Sequence, residues 1–492
     1  MIKLKVILPN IKYNIIPCEK RIQIYSRSFY NTPIRCFTKK NDLNVIEELK
    51  KRGLVNALTS FDVINQVKNQ TTIYCGVDPT APSLHLGNLL TLIGLLHFNL
   101  HGHRTIALIG GATGSIGDPS GRNTERLPLS FSTIEKNVIA IDNQIRQIFI
   151  NGKKYASRRG FKIGDELDNV IILNNLNWFQ KMSALELLND IGRYARVGTM
   201  LARDSVKSRM ENTGGISFTE FSYQLLQAYD FWHLYHYHQC RIQLGGSDQW
   251  GNITAGIDLI HKKKSDTKTI TGSLEPIEHT TAFGVTMPLL LTSTGEKFGK
   301  SAGNAIWLDD KMTSAYELYQ YFMKITDADL EKYLRMFTIL SIEEIDQILK
   351  THMESPEKRY GHEKLASEIT EFVHGVAGLQ RAQLATRVLF GDPLENIRGH
   401  DLIEAFSHDS QRLTSIHHNK IVNCTIDRVA VAAGACKSRS EANKLIKVGG
   451  LYLNDQRVIN PQYKVMDNDL LDGIVCVIRT GKSNYHLIRV IE

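Results

Sequence analysis

From Thr71 to Val77 the chain alternates and is rich in β-forming residues, which predicts a buried strand. Asp78, Pro79, Pro82 and Ser83 break that strand into a turn. Leu86, Leu89, Leu90, Ile93, Leu96 and Leu100 then recur at helical spacing. Upstream, residues 41–58 read as an amphipathic helix ending near Gly53. Downstream, Arg104 to Ile109 predicts a second buried strand, which runs into the glycine-rich loop of residues 110–121. Strand, helix, strand and glycine loop open a parallel α/β sheet, whose ligands sit at the carboxyl ends of the strands. Residues 123–170 read as helix and loop with a hairpin near Gly152, Val170 to Leu173 as a third strand, and residues 184–211 as mostly helical. Phe218 to Asp230 is helical; Arg241 to Gly246 reads as strand and Gly-Gly turn, with a helix starting near Ser247 or Asp248. Lys262, Lys263, Lys264 and Lys268 read as a basic loop, and Pro288 to Leu291 as a final strand. The expected organisation is an α/β domain over 41–290, a loop and linker over 291–312, a helical domain over 313–390, a linker over 391–422 and a small α+β module over 423–492.

Charge sets the two ends apart. The chain of 492 residues has a formal net charge of +8, yet the first forty residues hold nine Lys+Arg and a single acid, Glu19, and the remainder carries 50 of each sign. An acid-poor, basic, partly apolar segment is the composition of a mitochondrial targeting peptide, so residues 1–40 are expected to direct import to the mitochondrial matrix. No run of eighteen apolar residues occurs, and no membrane span is expected. Residues 412–492 carry twelve basic and seven acidic residues, which suits contact with a nucleic-acid backbone. The seven cysteines form no CxxC pair, and the histidines at 233, 236 and 238 lack a partner at ligand spacing, so neither a disulfide framework nor a protein-bound metal is indicated.

Five stretches carry candidate chemistry. His85, Gly87 and Asn88 lie where a strand hands over to a helix, so free N–H groups and the positive helix end face an incoming anion. The glycine loop puts Asp118 at the same sheet edge. Tyr223, Gln227 and Asp230, at i, i+4 and i+7, share one helical face and align a phenol, an amide and a carboxylate. Gly245 and Gly246 permit close backbone approach, with Asp248 suited to a ribose hydroxyl pair. Lys297 and Lys300, flanking Gly299, read in isolation as a charged surface turn, and beside the other stretches as a cationic clamp that can neutralise a leaving pyrophosphate.

YCGVDPTAPSLHLGN, GGATGSIGDPSGR, FTEFSYQLLQAYD, GGSDQWGNITAG and KFGKS occur in this order, and together they resemble the bacterial and mitochondrial-type tyrosyl-tRNA synthetases of the class I aminoacyl-tRNA synthetases. The resemblance runs from about residue 41 to the end. It implies a Rossmann-like parallel-sheet catalytic domain, an α-helical anticodon-binding domain and an S4-like RNA-binding module. It also implies L-tyrosine, ATP with Mg2+, and tRNA-Tyr as substrates, and a homodimer. Carried over by position, Thr80 and His85 meet the β- and γ-phosphates, and Arg122, Arg126, Lys297 and Lys300 surround the pyrophosphate. Cys75, Gly245 and Asp248 hold the ribose, with Gly76, Gly87 and Asn88 beside the nucleotide. Asp118, Tyr223 and Gln227 bind the tyrosine ammonium, Tyr74 and Asp230 its phenol hydroxyl, and Asp78 and Gln249 line the pocket. Asn88 departs from the second histidine of the family signature, Phe298 and Gly299 from its Met-Ser, and Arg122 stands where lysine is frequent. Tryptophanyl-tRNA synthetases share the chemistry, but an indole does not need the Tyr74 and Asp230 pair. An RNA-binding scaffold that retains a synthetase body is the alternative from another class.

Overall fold

The computed structural model describes residues 44–120, 129–161, 170–211, 215–271, 281–291, 300–301 and 304–492. It begins with α1 (Val45–Lys51), a helix closed by an Asn44/Glu47 capping box. A six-stranded sheet follows, built from β1 (Ala57–Leu58), β2 (Thr72–Val77), β3 (Arg104–Ile109), β4 (Ile171–Asn174), β5 (Cys240–Gly246) and β6 (Phe283–Met287), in the order β1-β6-β5-β2-β3-β4. All neighbours are parallel except β1, which runs antiparallel to β6. The chain moves outward from β2 through β3 to β4, then returns to add β5 on the other side of β2. This reversal is a topological switch point, where the carboxyl ends of β2 and β5 leave a crevice for a ligand.

The period-two pattern of β2 feeds two different cores. Ile73 and Cys75 pack in the cluster that contains α2 (Leu86–Leu100), whereas Tyr74 packs with Ile106, Leu108, Phe231 and Leu234 under α4 (Phe218–His238). Helix α5 (Trp250–Thr271) packs along α4. Residues 262–264 and 268, expected in a basic loop, lie inside this helix, where Lys262 pairs with Asp258 four residues back at 2.7 Å.

The hairpin expected near Gly152 is not formed. Residues 131–158 make one helix of 28 residues, α3 (Phe131–Arg158), because Ile134, Ile141, Ile145, Ile148, Phe149 and Tyr155 stay in helical phase through the glycine. Gly152 is instead a crossing point, since a Cβ there would lie 2.7 Å from Phe372 Cε2. Phe372 belongs to α9 (Tyr360–Leu389), which follows α6 (Ala315–Met323), α7 (Asp327–Phe337) and α8 (Ile342–Glu354). Gly375 breaks α9 with φ 72°, and Asn151 Nδ2 of α3 donates to the Val373 carbonyl near that break at 2.8 Å.

Two further expectations need correction. The strand placed at 288–291 ends at Met287, which pairs with Gly246, and Pro288 has no N–H to continue a ladder. The stretch 391–422, expected as a linker, contains α10 (Gly399–Ala405) and β7 (Leu413–His417). β7 lies parallel to β11 (Asn484–Ile491) at the edge of a five-stranded sheet in the order β9-β8-β10-β11-β7. The other members are β8 (Leu451–Leu453), β9 (Gln456–Arg457) and β10 (Val475–Thr480), with α11 (Ile426–Ala432) and α12 (Arg439–Lys447) packed on them. β7 buries only Ile416, so its sequence carries almost no apolar pattern. Among the described residues, no helix is long and apolar enough to cross a membrane.

Candidate functional site

At the carboxyl ends of β2, β3 and β4, side chains from four elements join one hydrogen-bond chain. Tyr223 Oη donates to Asp78 Oδ2 at 2.8 Å, and Thr113 Oγ1 donates to Asp78 Oδ1 at 2.7 Å. Asn175 Nδ2 lies 3.0 Å from both Thr113 Oγ1 and Asp230 Oδ2, and Trp178 Nε1 donates to Asp230 Oδ1 at 2.9 Å. Asp230 is therefore held by a donor on each oxygen. Burial pushes its carboxyl up to about 8, with the Asp78 charge adding to the rise and the Asn175 and Trp178 bonds opposing it.

Tyr74 Oη and Gln227 Oε1 are buried without a hydrogen-bond partner among the described residues. Tyr74 itself is 1% exposed, and the nearby Asp230 charge adds to the burial that raises its phenol. A buried polar atom left unpaired costs about 1–3 kcal/mol, so both are suited to a polar ligand. Asp118, whose charge also acts on Tyr223, accepts from Gln249 Nε2 at 2.7 Å and from the Ser120 backbone at 2.9 Å. Asp78, Tyr223 and Asp230 are thus joined through Thr113 and Asn175 in one network, with Tyr74 near Asp230 and Asp118 paired with Gln249.

Asn175, Trp178 and Thr113 were not anticipated as site residues. The signal was present: Asn174 to Trp178 lies immediately after a predicted strand of the same sheet, the position where ligand contacts concentrate.

The strand-to-helix junction has a definite construction. His85 is the N-cap of α2: its Nδ1 accepts from the Asn88 N–H at 3.3 Å, while Asn88 Oδ1 accepts from the His85 N–H at 3.1 Å. An acceptor Nδ1 in a neutral imidazole places the proton on Nε2. Asn88, at the position of the family's second histidine, closes this capping box with an acceptor oxygen. Gly87 is required beside the ring, because a Cβ there would lie 2.9 Å from His85 Cε1. Thr80 sits in the turn before the helix, its N–H bonded to the Asp78 carbonyl at 2.8 Å. Across the crevice, Gly245 and Gly246 end β5, and Asp248 and Gln249 lie in the 3-10 turn that follows.

Cys75 lies on the sheet face opposite Tyr74, and burial raises its thiol to about 12. Gly76 is exposed at the end of β2. Arg122, Arg126 and Lys297 lie outside the described residues, as does the side chain of Lys300.

Gly110 has no room for a side chain: a Cβ would collide with Asp78 Oδ1 and Thr113 Oγ1. Gly110→Ala is expected to cost about 1–3 kcal/mol through overpacking and to separate Asp78 from Thr113. Chemical denaturation measures the loss of stability. Asp230 provides a second prediction. Its folded value of about 8 exceeds the ordinary 3.8, so its contribution to stability is full below about pH 4 and is lost as pH rises through about 8. Melting temperatures from pH 6 to 9 should fall more steeply for the wild type than for Asp230→Asn.

A model of the family described as tRNA synthetases class I (W and Y) matches residues 65–391, and one described as the tyrosine–tRNA ligase SYY-like C-terminal domain matches residues 409–488. Sheet, switch-point crevice and capped junction are thus those of a class I tRNA synthetase. Over 461 residues the chain is 39% identical to the mitochondrial tyrosine–tRNA ligase of Saccharomyces cerevisiae, covering 91% of this chain and 89% of that one. It is 41% identical over 453 residues to the chloroplastic/mitochondrial tyrosine–tRNA ligase of Arabidopsis thaliana, covering 91% and 84%. The crystal structure of a C-terminally truncated Aspergillus nidulans mitochondrial tyrosyl-tRNA synthetase matches with a TM-score of 0.64 at 36% identity, covering 72% of this chain and 95% of that one. The chain belongs to the tyrosine–tRNA ligase family.

Proposed function

We propose that Tyr74 and Asp230 receive the phenol hydroxyl of L-tyrosine, and that the amino acid is activated where β2, β5 and the N-terminus of α2 converge. The enzyme is a tyrosine–tRNA ligase with ATP as co-substrate. The tyrosine carboxylate attacks the α-phosphorus of ATP; an O–P bond forms, the bond to the β-phosphate oxygen breaks, and pyrophosphate leaves. The 3′-terminal ribose hydroxyl of tRNA-Tyr then attacks the tyrosyl carbonyl, and AMP leaves. No protein nucleophile is involved, so the chain's contribution is positioning and charge stabilisation.

Asp118 and Gln227 accept from the tyrosine ammonium. The Tyr223 oxygen, whose own proton goes to Asp78, accepts a third bond from it. His85 donates from Nε2 and Thr80 from its hydroxyl to the phosphates. Gly76, Gly87 and Asn88 flank the nucleotide, and Cys75, Gly245 and Asp248 serve the ribose. Arg122, Arg126, Lys297 and Lys300 neutralise the departing pyrophosphate. His85, Thr80 and Asn88 are not the hard carboxylate ligands that Mg2+ prefers, so Mg2+ arriving with ATP would be coordinated by phosphate oxygens and water. Its chemistry there is to neutralise phosphate charge.

The helical region of residues 313–390 and the basic C-terminal module are assigned to tRNA binding. Exposed apolar side chains between β4 and the start of α4 support a homodimer: Leu185 is 78% exposed, Val197 62% and Phe218 77%. The acid-poor first forty residues and the mitochondrial relatives support a matrix location.

The observation that carries the tyrosine assignment is the unpartnered Tyr74 Oη beside an Asp230 held by Asn175 and Trp178. Tyrosine-dependent ATP–pyrophosphate exchange, with phenylalanine and tryptophan as controls, tests it. Exchange with tyrosine alone is expected. Exchange with tryptophan would overturn the pocket assignment, and exchange with none of the three would favour a non-catalytic RNA-binding role.

A further inference from the structure

Far from the sheet edge in sequence, α7, α8 and α9 bring two imidazoles and a carboxylate to one point. Asp327 opens α7, His352 lies in the last turn of α8, and His362 lies in the first turn of α9. His352 Nε2 is 3.2 Å and His362 Nε2 3.4 Å from the same oxygen, Asp327 Oδ1. The three atoms lie within 4.8 Å of one another. Both rings are almost wholly buried, while the Asp327 side chain is 59% exposed, so the cluster opens to solvent on one side.

Three local features hold this geometry. Arg359, at φ 53°, donates to the Met323 carbonyl at 2.7 Å and the Ile325 carbonyl at 3.0 Å, anchoring the start of α9 to the segment before α7. Gly361 lets α9 approach α8, since a Cβ there would lie 3.3 Å from His352 Cγ. His362 Nε2 also faces the Ile325 carbonyl at 3.1 Å, so a single N–H stands between two oxygens and cannot serve both well.

We propose that Asp327, His352 and His362 form a binding site for a borderline divalent cation, with Zn2+ as the best fit. For bonds of about 2.0–2.1 Å in a tetrahedron, the ligand–ligand edges are about 3.3–3.4 Å, close to the separations of 3.2 and 3.4 Å found here. Two imidazoles and one carboxylate suit zinc, whereas Mg2+ and Ca2+ take oxygen ligands. The fourth ligand would be water, entering from the side on which Asp327 is exposed, or the Ile325 carbonyl, 3.1 Å from His362 Nε2. Both Nδ1 atoms are buried without a partner among the described residues. With metal on Nε2 they would carry the protons unsupported, so affinity is expected to be about 10–100-fold below that of a site with a complete outer shell. The bound ion would clamp the three helices together.

The test uses the full chain, purified without a histidine tag, stripped with chelator and dialysed against Zn2+. Mass spectrometry of bound metal is expected to give one zinc per chain, undiminished by excess Mg2+. Co2+ in place of Zn2+ should show the visible bands of a tetrahedral centre. His352→Gln/His362→Gln should lose both signals, and Asp327→Asn should weaken zinc at least tenfold, with tyrosine-dependent exchange retained as the sign of an intact fold. Asp327 is exposed, so its variant carries the test even where the double variant fails to fold. Stoichiometry well below one, or zinc binding unchanged in Asp327→Asn, would overturn the site and leave a hydrogen-bonded His–Asp–His cluster.

Discussion

Asp230→Ala is expected to erase most of the enzyme's preference for tyrosine over phenylalanine. A site that buries polar groups to bond a hydroxyl rejects the analogue lacking it, because those groups are then left unpaired. For tyrosyl-tRNA synthetases as a class, that discrimination is about 10⁵, or about 7 kcal/mol. In the proposed site Tyr74 Oη is one such group, and Asp230 is the other. With alanine, the Asn175 and Trp178 donors also lose their acceptor, at about 1–3 kcal/mol each. Tyrosine kcat/KM should therefore collapse while phenylalanine, which never used the carboxylate, loses far less. Asp230→Asn keeps the volume and one acceptor oxygen but turns an N–H toward one of the two donors, so it should fall between. The measurement is pyrophosphate exchange with each amino acid at saturating ATP, alongside a melting curve. An unchanged tyrosine-to-phenylalanine ratio in a folded Asp230→Ala protein would sink the assignment.

His85→Ala should leave tyrosine binding nearly intact and lower the turnover of adenylate formation by about 10²–10³, the scale seen when one preorganised donor to developing charge is removed. The ring has two tasks, and the geometry separates them. Nδ1 caps α2 through the Asn88 N–H, while the Nε2–H so imposed is the proposed donor toward phosphate. Losing the cap costs about 1 kcal/mol of stability. Asn88→Ala removes the reciprocal bond to the His85 N–H but leaves the ring, so it should reduce stability more than turnover. Single-turnover pyrophosphate release gives the rate, and tyrosine titration gives the affinity. If His85→Ala weakened tyrosine binding as strongly as it slowed turnover, the ring would be organising the whole crevice, not contacting phosphate.

Elements whose pattern is local were legible in the amino-acid sequence. The period of two in Thr72–Val77 and the helical period of Leu86–Leu100 place His85 at their junction without any tertiary information. The shared face of Tyr223, Gln227 and Asp230 also follows from helical spacing alone. Longer-range consequences were harder to read. Gly152 resembles a turn signal until α9 is present to cross it, and β7 has no apolar stripe because its pairing with β11 comes from a strand more than sixty residues later.

The sequence by itself determined the strand–helix junction at His85, the shared helical face of Tyr223, Gln227 and Asp230 and the residue types available at both, because each depends on periodicity and chemistry within one short stretch. Only the tertiary structure decided what those residues bond. Asn175 and Trp178 reach Asp230 across separations of 55 and 52 residues, and Tyr223 reaches Asp78 across 145. The alternation of β2 sends Tyr74 and Cys75 to opposite faces, but which face holds the pocket depends on α4 returning over the sheet. The same holds for Asp327, His352 and His362, whose meeting requires the packing of three helices. Hydrogen bonds and ligand sets are set by distances of a few ångströms, and those distances exist only once remote segments have packed against one another.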